Sequence, residues 1–229
     1  MLLNQRLQRI LPTLQRLCAD GETALERWWA DHIAQATNAE DARKRLASFP
    51  YYANYEDLTR MELCAIQSVE PRILQRIAFI GSGPLPLTPL CLMRALEREV
   101  FQGGLGGGGS TPLAVKRTSF PTIRHVLSPE ICNIDRDPRA IEASTRLCER
   151  LGFSEREMAF RCEAADDPAA RELTSFDLVY FAALVGETQQ AKEDLILAVA
   201  DRMQPGALLL IRSAWGLRTF LYPVCSVLF

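Results

Sequence analysis

The sequence predicts an α/β protein in which a parallel, Rossmann-like sheet follows an N-terminal helical region. Apolar residues in the first 70 positions recur at intervals of three and four, a spacing typical of amphipathic helices. From residue 71 onward, short apolar runs bounded by Gly, Pro or Asp alternate with helical patterns, as repeated βα units do. We therefore expect a helical region at 1–70 and a Rossmann-like domain at 71–229.

Two apolar stripes predict the first helices, and a third helical run follows them. The first stripe consists of Leu3, Leu7, Ile10, Leu14 and Leu17, and the second of Leu25, Trp28, Trp29 and Ile33. A segment rich in Tyr and Pro at 49–55 interrupts the pattern before the third run at 56–69.

Five strands are predicted after residue 71, at 76–81, 131–135, 158–163, 176–184 and 207–214. Two intervening helices carry start signals, because Thr88 precedes Pro89 and Asp137 precedes Pro138. Each pair sets a capping side chain before a proline at the first helical position. Gly152 is expected to end the second of these helices.

Composition indicates a small-molecule partner rather than nucleic acid or a membrane. The 229 residues are 48% hydrophobic and 24% charged, with a net charge of −2. Seven cysteines without a CxxC pair are expected to be buried thiols in a reducing compartment. With no apolar leader or span, the predicted location is the cytoplasm. His32 and His125 lack neighbours at ligand spacing, so no protein-bound metal is predicted.

A glycine turn follows the first predicted strand, where Gly81, Ser82 and Gly83 stand together. Glycines at a βα turn let the backbone bend sharply and approach a nucleoside-bearing ligand. The third glycine of the dinucleotide motif is missing, and Pro84 and Pro86 remove backbone donors for phosphate. The turn suits S-adenosylmethionine (SAM), a ligand without phosphates; the alternative is a tight turn that binds nothing.

Asp135 ends the second predicted strand, where a carboxylate can accept both hydroxyls of a ribose. The alternative role, a helix cap, suits Asp137 better because Pro138 follows it. Gly83 and Asp135 are 52 residues apart, whereas the usual spacing is about 20. A glycine-rich segment at about 102–113 accounts for most of the excess and is expected to be a flexible loop.

Two further charged residues are candidates for substrate chemistry. Glu62 lies on an apolar helical stripe with Leu58 and Ile66, so a buried carboxylate there would serve as a general base or hold a substrate ammonium. A partly exposed acid paired with an arginine fits the spacing equally well. Arg212 follows an apolar run at the carboxyl end of the fifth strand, where its guanidinium would clamp an amino-acid carboxylate.

Four segments together resemble the signature segments of nicotianamine synthases: FPYYANYEDLTRMEL, AFIGSGPLPLT, FDLVYFAALVG and RSAWGLRTFLYP. They occur in the family's order, and the resemblance covers most of residues 10–224. It implies a helical region joined to a SAM-methyltransferase-like domain that condenses three SAM molecules into nicotianamine and releases methylthioadenosine at each step. SAM is then a substrate rather than a resident cofactor.

The resemblance also implies roles for individual residues. Gly81, Ser82, Gly83 and Asp135 fall on SAM-contacting motifs, and Glu62 falls on the family's active-site glutamate. For the implied reaction, Tyr51, Tyr52 and Tyr55 are expected to line the substrate site or contact the sulfonium, with Tyr55 as the chosen candidate; the alternative is that these rings only pack. After the third strand the family carries an aspartate, for which Glu163 and Asp166 are both candidates here.

The remaining expectations concern the chain as a whole and include two alternative functions. The family continues into further strands, so the fifth strand is expected at an exposed sheet edge. The same fold also serves small-molecule methyltransferases, and a non-catalytic SAM-binding relative is a further alternative. The expected partners are a small-molecule substrate and a second copy of the chain in a homodimer.

Overall fold

Three helices build the N-terminal region. The computed structural model describes residues 5–72, 74–103, 129–167, 169–170 and 172–225. Helix α1 spans Gln5–Ala34, α2 spans Ala39–Ala47 and α3 spans Tyr52–Val69, so the region is helical as predicted. The described residues of both predicted stripes lie on the single helix α1, and α3 begins at Tyr52, inside the segment that was predicted to interrupt the pattern. Of the predicted glycine-rich loop, positions 104–113 lie outside the described residues, as does His125.

Five parallel strands form the sheet in the described residues. They are β1 (Arg76–Ile80), β2 (Glu130–Asp135), β3 (Met158–Cys162), β4 (Leu178–Phe181) and β5 (Leu208–Ile211). Their order is β3-β2-β1-β4-β5, which confirms the Rossmann-like α/β fold and places β5 at an edge. The order reverses between β1 and β4, and ligands of such sheets bind in the crevice at the carboxyl ends there.

The predicted fourth and fifth strands were too long. The apolar pattern extended them over 176–184 and 207–214, whereas both stop where β1 stops. In the strand register, Ile80 of β1 pairs with Phe181 of β4, and Phe181 pairs with Ile211 of β5. Because the chain turns away at Gly81, with φ of 78°, the ladder ends there and later apolar residues belong to loops.

Three helices alternate with the strands: α4 (Leu87–Gly103), α5 (Pro138–Leu151) and α6 (Gln189–Ala200). The start of α5 is as predicted, since Asp137 accepts the N–H of Arg139 and Pro138 comes first. The predicted cap at Thr88 is wrong: α4 begins one residue earlier, and Leu90 N–H donates to the carbonyl of Pro86. No helix in the described ranges is long and apolar enough to cross a membrane.

The two faces of the sheet are covered by different helices. On one face, α1, α3, α4 and α5 contribute to a single core that includes Ile33, Leu63 and Phe79. On the other face, Ile196 and Val199 of α6 pack against the alternate strand residues. The N-terminal helices thus share a core with the sheet, which brings α1 and α3 beside its carboxyl edge.

The seven cysteines are free thiols, but the expectation that all are buried was wrong. Cys91, Cys132 and Cys148 are buried, whereas Cys64 and Cys162 are exposed. Cys64 lies on the outward face of α3 and Cys162 at the end of β3, positions that sequence periodicity did not separate from the core.

Candidate active site

The glycine turn after β1 requires the absence of side chains. Gly81 and Gly83 have φ of 78° and 66°, in the left-handed region that glycine favours. Gly81 N–H donates to the carbonyl of Ile134 at 2.8 Å, which ties the turn to β2. A Cβ on Gly81 would lie 2.2 Å from Cγ2 of Val185. The hydroxyl of Ser82 is buried and has no hydrogen-bond partner in the described chain, so it is available to a ligand.

Gly81→Ala is expected to destabilise the fold more than Gly206→Ala. Both glycines have positive φ, 78° and 87°, so alanine at either site costs about 1–2 kcal/mol of backbone strain. Only at Gly81 does the new methyl meet a neighbour, because nothing lies within 4 Å of a Cβ on Gly206. Urea unfolding of the two variants measures the difference, and equal losses would refute the close contact with Val185.

The carboxylate of Asp135 holds the glycine turn in place. Its Oδ2 accepts the N–H of Gly83 and its Oδ1 accepts the N–H of Asp137, both at 2.9 Å. The cap of α5 is Asp137 itself, so Asp135 is not needed for that role. Each carboxylate oxygen has a second lone pair, which leaves Asp135 able to accept ligand hydroxyls.

Of the two acids predicted after β3, Glu163 lies beside Asp135. Its N–H donates to the backbone carbonyl of Asp135 at 3.0 Å, and its side chain is half-buried. Asp166 is exposed, three residues further along a turn. The fold therefore brings Glu163 to the site edge and leaves Asp166 at the surface.

Glu62 and Arg212 form a bidentate ion pair between α3 and the end of β5. Nε of Arg212 donates to Oε1 of Glu62 at 2.8 Å, and its Nη2 donates to Oε2 at 2.9 Å. The two side chains are 7% and 16% exposed, so the pair is largely removed from water. Glu62 is buried, as the base hypothesis expected, and paired with an arginine, as the alternative expected. Both carboxylate oxygens of Glu62 are hydrogen-bonded, and Arg212 uses its Nε and Nη2 for these two bonds.

A third carboxylate, Glu26 of α1, lies against the glycine turn and was not predicted. A Cβ on Gly83 would lie 2.7 Å from Oε2 of Glu26. Burial raises the pKa of Glu26 to about 8, with further contributions from the negative charges of Glu22 and Asp135. A carboxyl group with that pKa exchanges its proton near neutral pH, which suits it to accept a proton from a substrate.

A signal for Glu26 was present in the spacing of α1. Glu22, Glu26, Ala30 and Ile33 follow one another at intervals of four, four and three, and Ala30 and Ile33 are 0% exposed. The predicted stripe shared Ile33 with this buried face, and Trp29 also packs against the core, but it included Leu25 and Trp28, which lie on the exposed side of the helix. Leu25 is 39% exposed and Trp28 is 59% exposed.

Two tyrosines adjoin the acids of α1. Tyr55 is half-buried, and burial together with the nearby charge of Glu26 raises its pKa to about 12, so its phenol stays neutral. The O–H of Tyr222, in the segment after β5, donates to Oε1 of Glu22. The predicted substrate-lining residue Tyr55 therefore lies in the same group as Glu26, between the N-terminal helices and the sheet edge.

In the ranges that the structure describes, no group of three or more His, Cys, Asp or Glu side chains is placed to bind a metal ion. His32 stacks on Trp28, with ring centroids 5.2 Å apart. That the protein binds no metal stays a prediction.

Comparison with known sequences identifies one family. The family model described as "Nicotianamine synthase protein" matches residues 1–228. Nicotianamine synthase 9 of Hordeum vulgare is 34% identical over 218 residues, which are 95% of this chain and 54% of the relative. Nicotianamine synthase 2 of Oryza sativa subsp. japonica is 34% identical over 225 residues, 96% of this chain and 58% of the relative. The chain thus spans about half the length of the curated relatives it matches.

Solved structures of MtNAS share the fold. A point mutant in complex with S-adenosylmethionine matches with a TM-score of 0.68 and 19% identity, over 97% of this chain and 69% of that one. The complex of MtNAS with "MTA and tNA" also matches with a TM-score of 0.68 and 19% identity, over 96% of this chain and 66% of that one. At this identity the likeness concerns the fold.

Proposed function

The chain belongs to the nicotianamine synthase family, and from that premise we propose that it transfers the 3-amino-3-carboxypropyl arm of SAM to form nicotianamine. The names of its relatives and the SAM complex of MtNAS support this activity. The observation that carries it is the position of Glu26. This acid lies against the glycine turn, and the charge of Asp135 contributes to its raised pKa, so it can take a proton from a group bound beside SAM.

The residues at the turn fit the adenosine part of SAM. Gly81 and Gly83 present no Cβ, the buried hydroxyl of Ser82 has no protein partner in the described chain, and Asp135 has free lone pairs for ribose hydroxyls. Glu163 adds an acceptor beside Asp135. We assign these five residues to SAM binding and leave Asp166 out because it is exposed.

The reaction displaces a thioether at carbon. The amino nitrogen of the acceptor forms a bond to the arm carbon next to the sulfonium, the carbon–sulfur bond breaks, neutral methylthioadenosine leaves, and the nitrogen loses a proton. In this proposal Glu26 accepts that proton. The remaining task of the chain is to hold the two reactants in line, and such positioning supplies several kcal/mol of a barrier of this kind.

Glu62 then has a different role from the predicted one. Because both its oxygens bind Arg212, we assign it to positioning that guanidinium rather than to proton transfer. An arginine has five N–H donors, so Arg212 retains three for a substrate carboxylate. Its predicted part in substrate binding therefore stays in the proposal, with Tyr55 beside it.

The proposal is tested by incubating the purified chain with SAM alone and identifying the products by mass spectrometry. Methylthioadenosine together with nicotianamine is expected. S-adenosylhomocysteine instead would show methyl transfer, which the same fold supports. SAM binding by calorimetry without either product would identify a non-catalytic relative.

We also propose a cytoplasmic location and a homodimer, on the grounds of composition and of the small-molecule substrate. Cell fractionation and light scattering of the purified chain test them.

A further inference from the structure

A lysine is buried on the side of the sheet that the proposed chemistry does not use. Lys192 of α6 is 0% exposed. Its Nζ donates to the carbonyl oxygens of Ala182 at 3.3 Å and Ala183 at 2.6 Å, and lies 5.6 Å from the ring centroid of Phe181. Burial lowers its pKa to about 8, so the fold bears a cost for keeping the ammonium there. An apolar side chain would fill the same space without that cost.

The two carbonyls belong to the loop at 182–186, which follows β4 and borders the crevice where the strand order reverses. At its start, Ala182 N–H donates to the carbonyl of Ile80 at 3.0 Å. At its end, Gly186 has φ of 87°, and a Cβ there would lie 2.6 Å from Cα of Lys192. The loop is thus held between β1 and the first turn of α6.

Within this loop, Val185 forms a wall of the glycine turn. Its Cγ2 occupies the space that a Cβ on Gly81 would need, and its N–H donates to the carbonyl of Ala182 at 3.3 Å. That carbonyl also accepts from Lys192. A chain of direct contacts therefore connects the ammonium with the turn, through Ala182 and Val185.

We propose that Lys192 is a positioning residue for the SAM site, because it fixes the carbonyls of the loop at 182–186 and thereby sets Val185 against the glycine turn. The inference rests on the proposed function for the identity of the ligand. A shift of the loop changes the shape of the turn that holds SAM, and a misplacement of about 1 Å can cost about 100-fold in rate.

Lys192→Met tests the role, with Val199→Ala as the matched control. Val199 is also 0% exposed and lies on the same helix, in the core against the same sheet face. By calorimetry, Lys192→Met is expected to weaken SAM binding about tenfold or more, whereas Val199→Ala lowers the thermal midpoint and leaves the affinity unchanged. In hydrogen exchange, amides at 182–187 are expected to exchange faster in Lys192→Met and not in Val199→Ala.

Each outcome decides the proposal. Unchanged exchange at 182–187 in Lys192→Met would show that the lysine does not hold the loop. Equal losses of SAM affinity in both variants would show that Lys192 acts only through overall stability. If the parent chain forms no methylthioadenosine, the proposed function fails, and the exchange comparison still decides whether Lys192 positions the loop.

Discussion

Glu26→Gln is expected to lower the rate of methylthioadenosine release by about 10²–10⁴-fold, the range typical of losing a general base. Glutamine keeps the shape and polarity of the protonated carboxyl but cannot accept the proton of the attacking nitrogen. Because Glu26 is half-buried and its pKa is raised to about 8, a neutral side chain there is compatible with the fold. Steady-state rates and SAM affinity, measured on the same preparation, separate lost chemistry from lost binding.

Glu187→Gln is the matched control for this change. Glu187 also follows a strand at the carboxyl edge of the sheet, but its side chain is 82% exposed and pairs with Arg136. Its loss is expected to leave the rate unchanged. A normal rate in Glu26→Gln, or an equal loss in both variants, would exclude Glu26 as the proton acceptor.

The rate of the parent chain is expected to rise with pH through about 8, because the ionised form of Glu26 is the base. Glu22→Gln should move this rise to lower pH, since the charge of Glu22 contributes to the raised pKa.

The contribution of Glu26 to the free energy of unfolding is expected to fall as pH rises, whereas the rate increases. A carboxyl with a raised pKa in the folded state stabilises the fold at low pH, and this contribution is lost as pH rises from 4.5 through about 8.

What the sequence predicted depended on how local each feature is. The glycine turn and Asp135 were found because they directly follow apolar strands, and parallel strands bring their carboxyl ends to one edge. Glu26 was missed because packing against the sheet decides which side of α1 is buried. The apolar pattern included Trp28 in the buried side, although Trp28 is exposed. The pair of Glu62 and Arg212 joins residues 150 positions apart, a separation at which sequence spacing gives no partner.

Glu62→Gln is expected to lower the free energy of unfolding by about 3 kcal/mol, because it leaves the guanidinium of Arg212 without its counter-charge in a largely buried place. The pair links α3 to the end of β5, so the loss includes the contact between the N-terminal helices and the sheet edge. Urea unfolding of the parent and the variant measures the difference. Arg212→Met alone is expected to cost a similar amount, since it leaves the carboxylate of Glu62 unpaired.

The double variant Glu62→Leu with Arg212→Met distinguishes a structural pair from a catalytic base. If the pair acts as a unit, two apolar side chains restore most of the stability that either single change loses, and the coupling appears in the double-mutant cycle. This variant then regains its fold but not the guanidinium, so SAM turnover stays low through weak substrate binding, seen as a raised KM. If Glu62 were instead the proton acceptor, Glu62→Gln would lower kcat, and Glu26→Gln would remain active. The two glutamine variants therefore assign the proton transfer to one carboxylate and the positioning of Arg212 to the other.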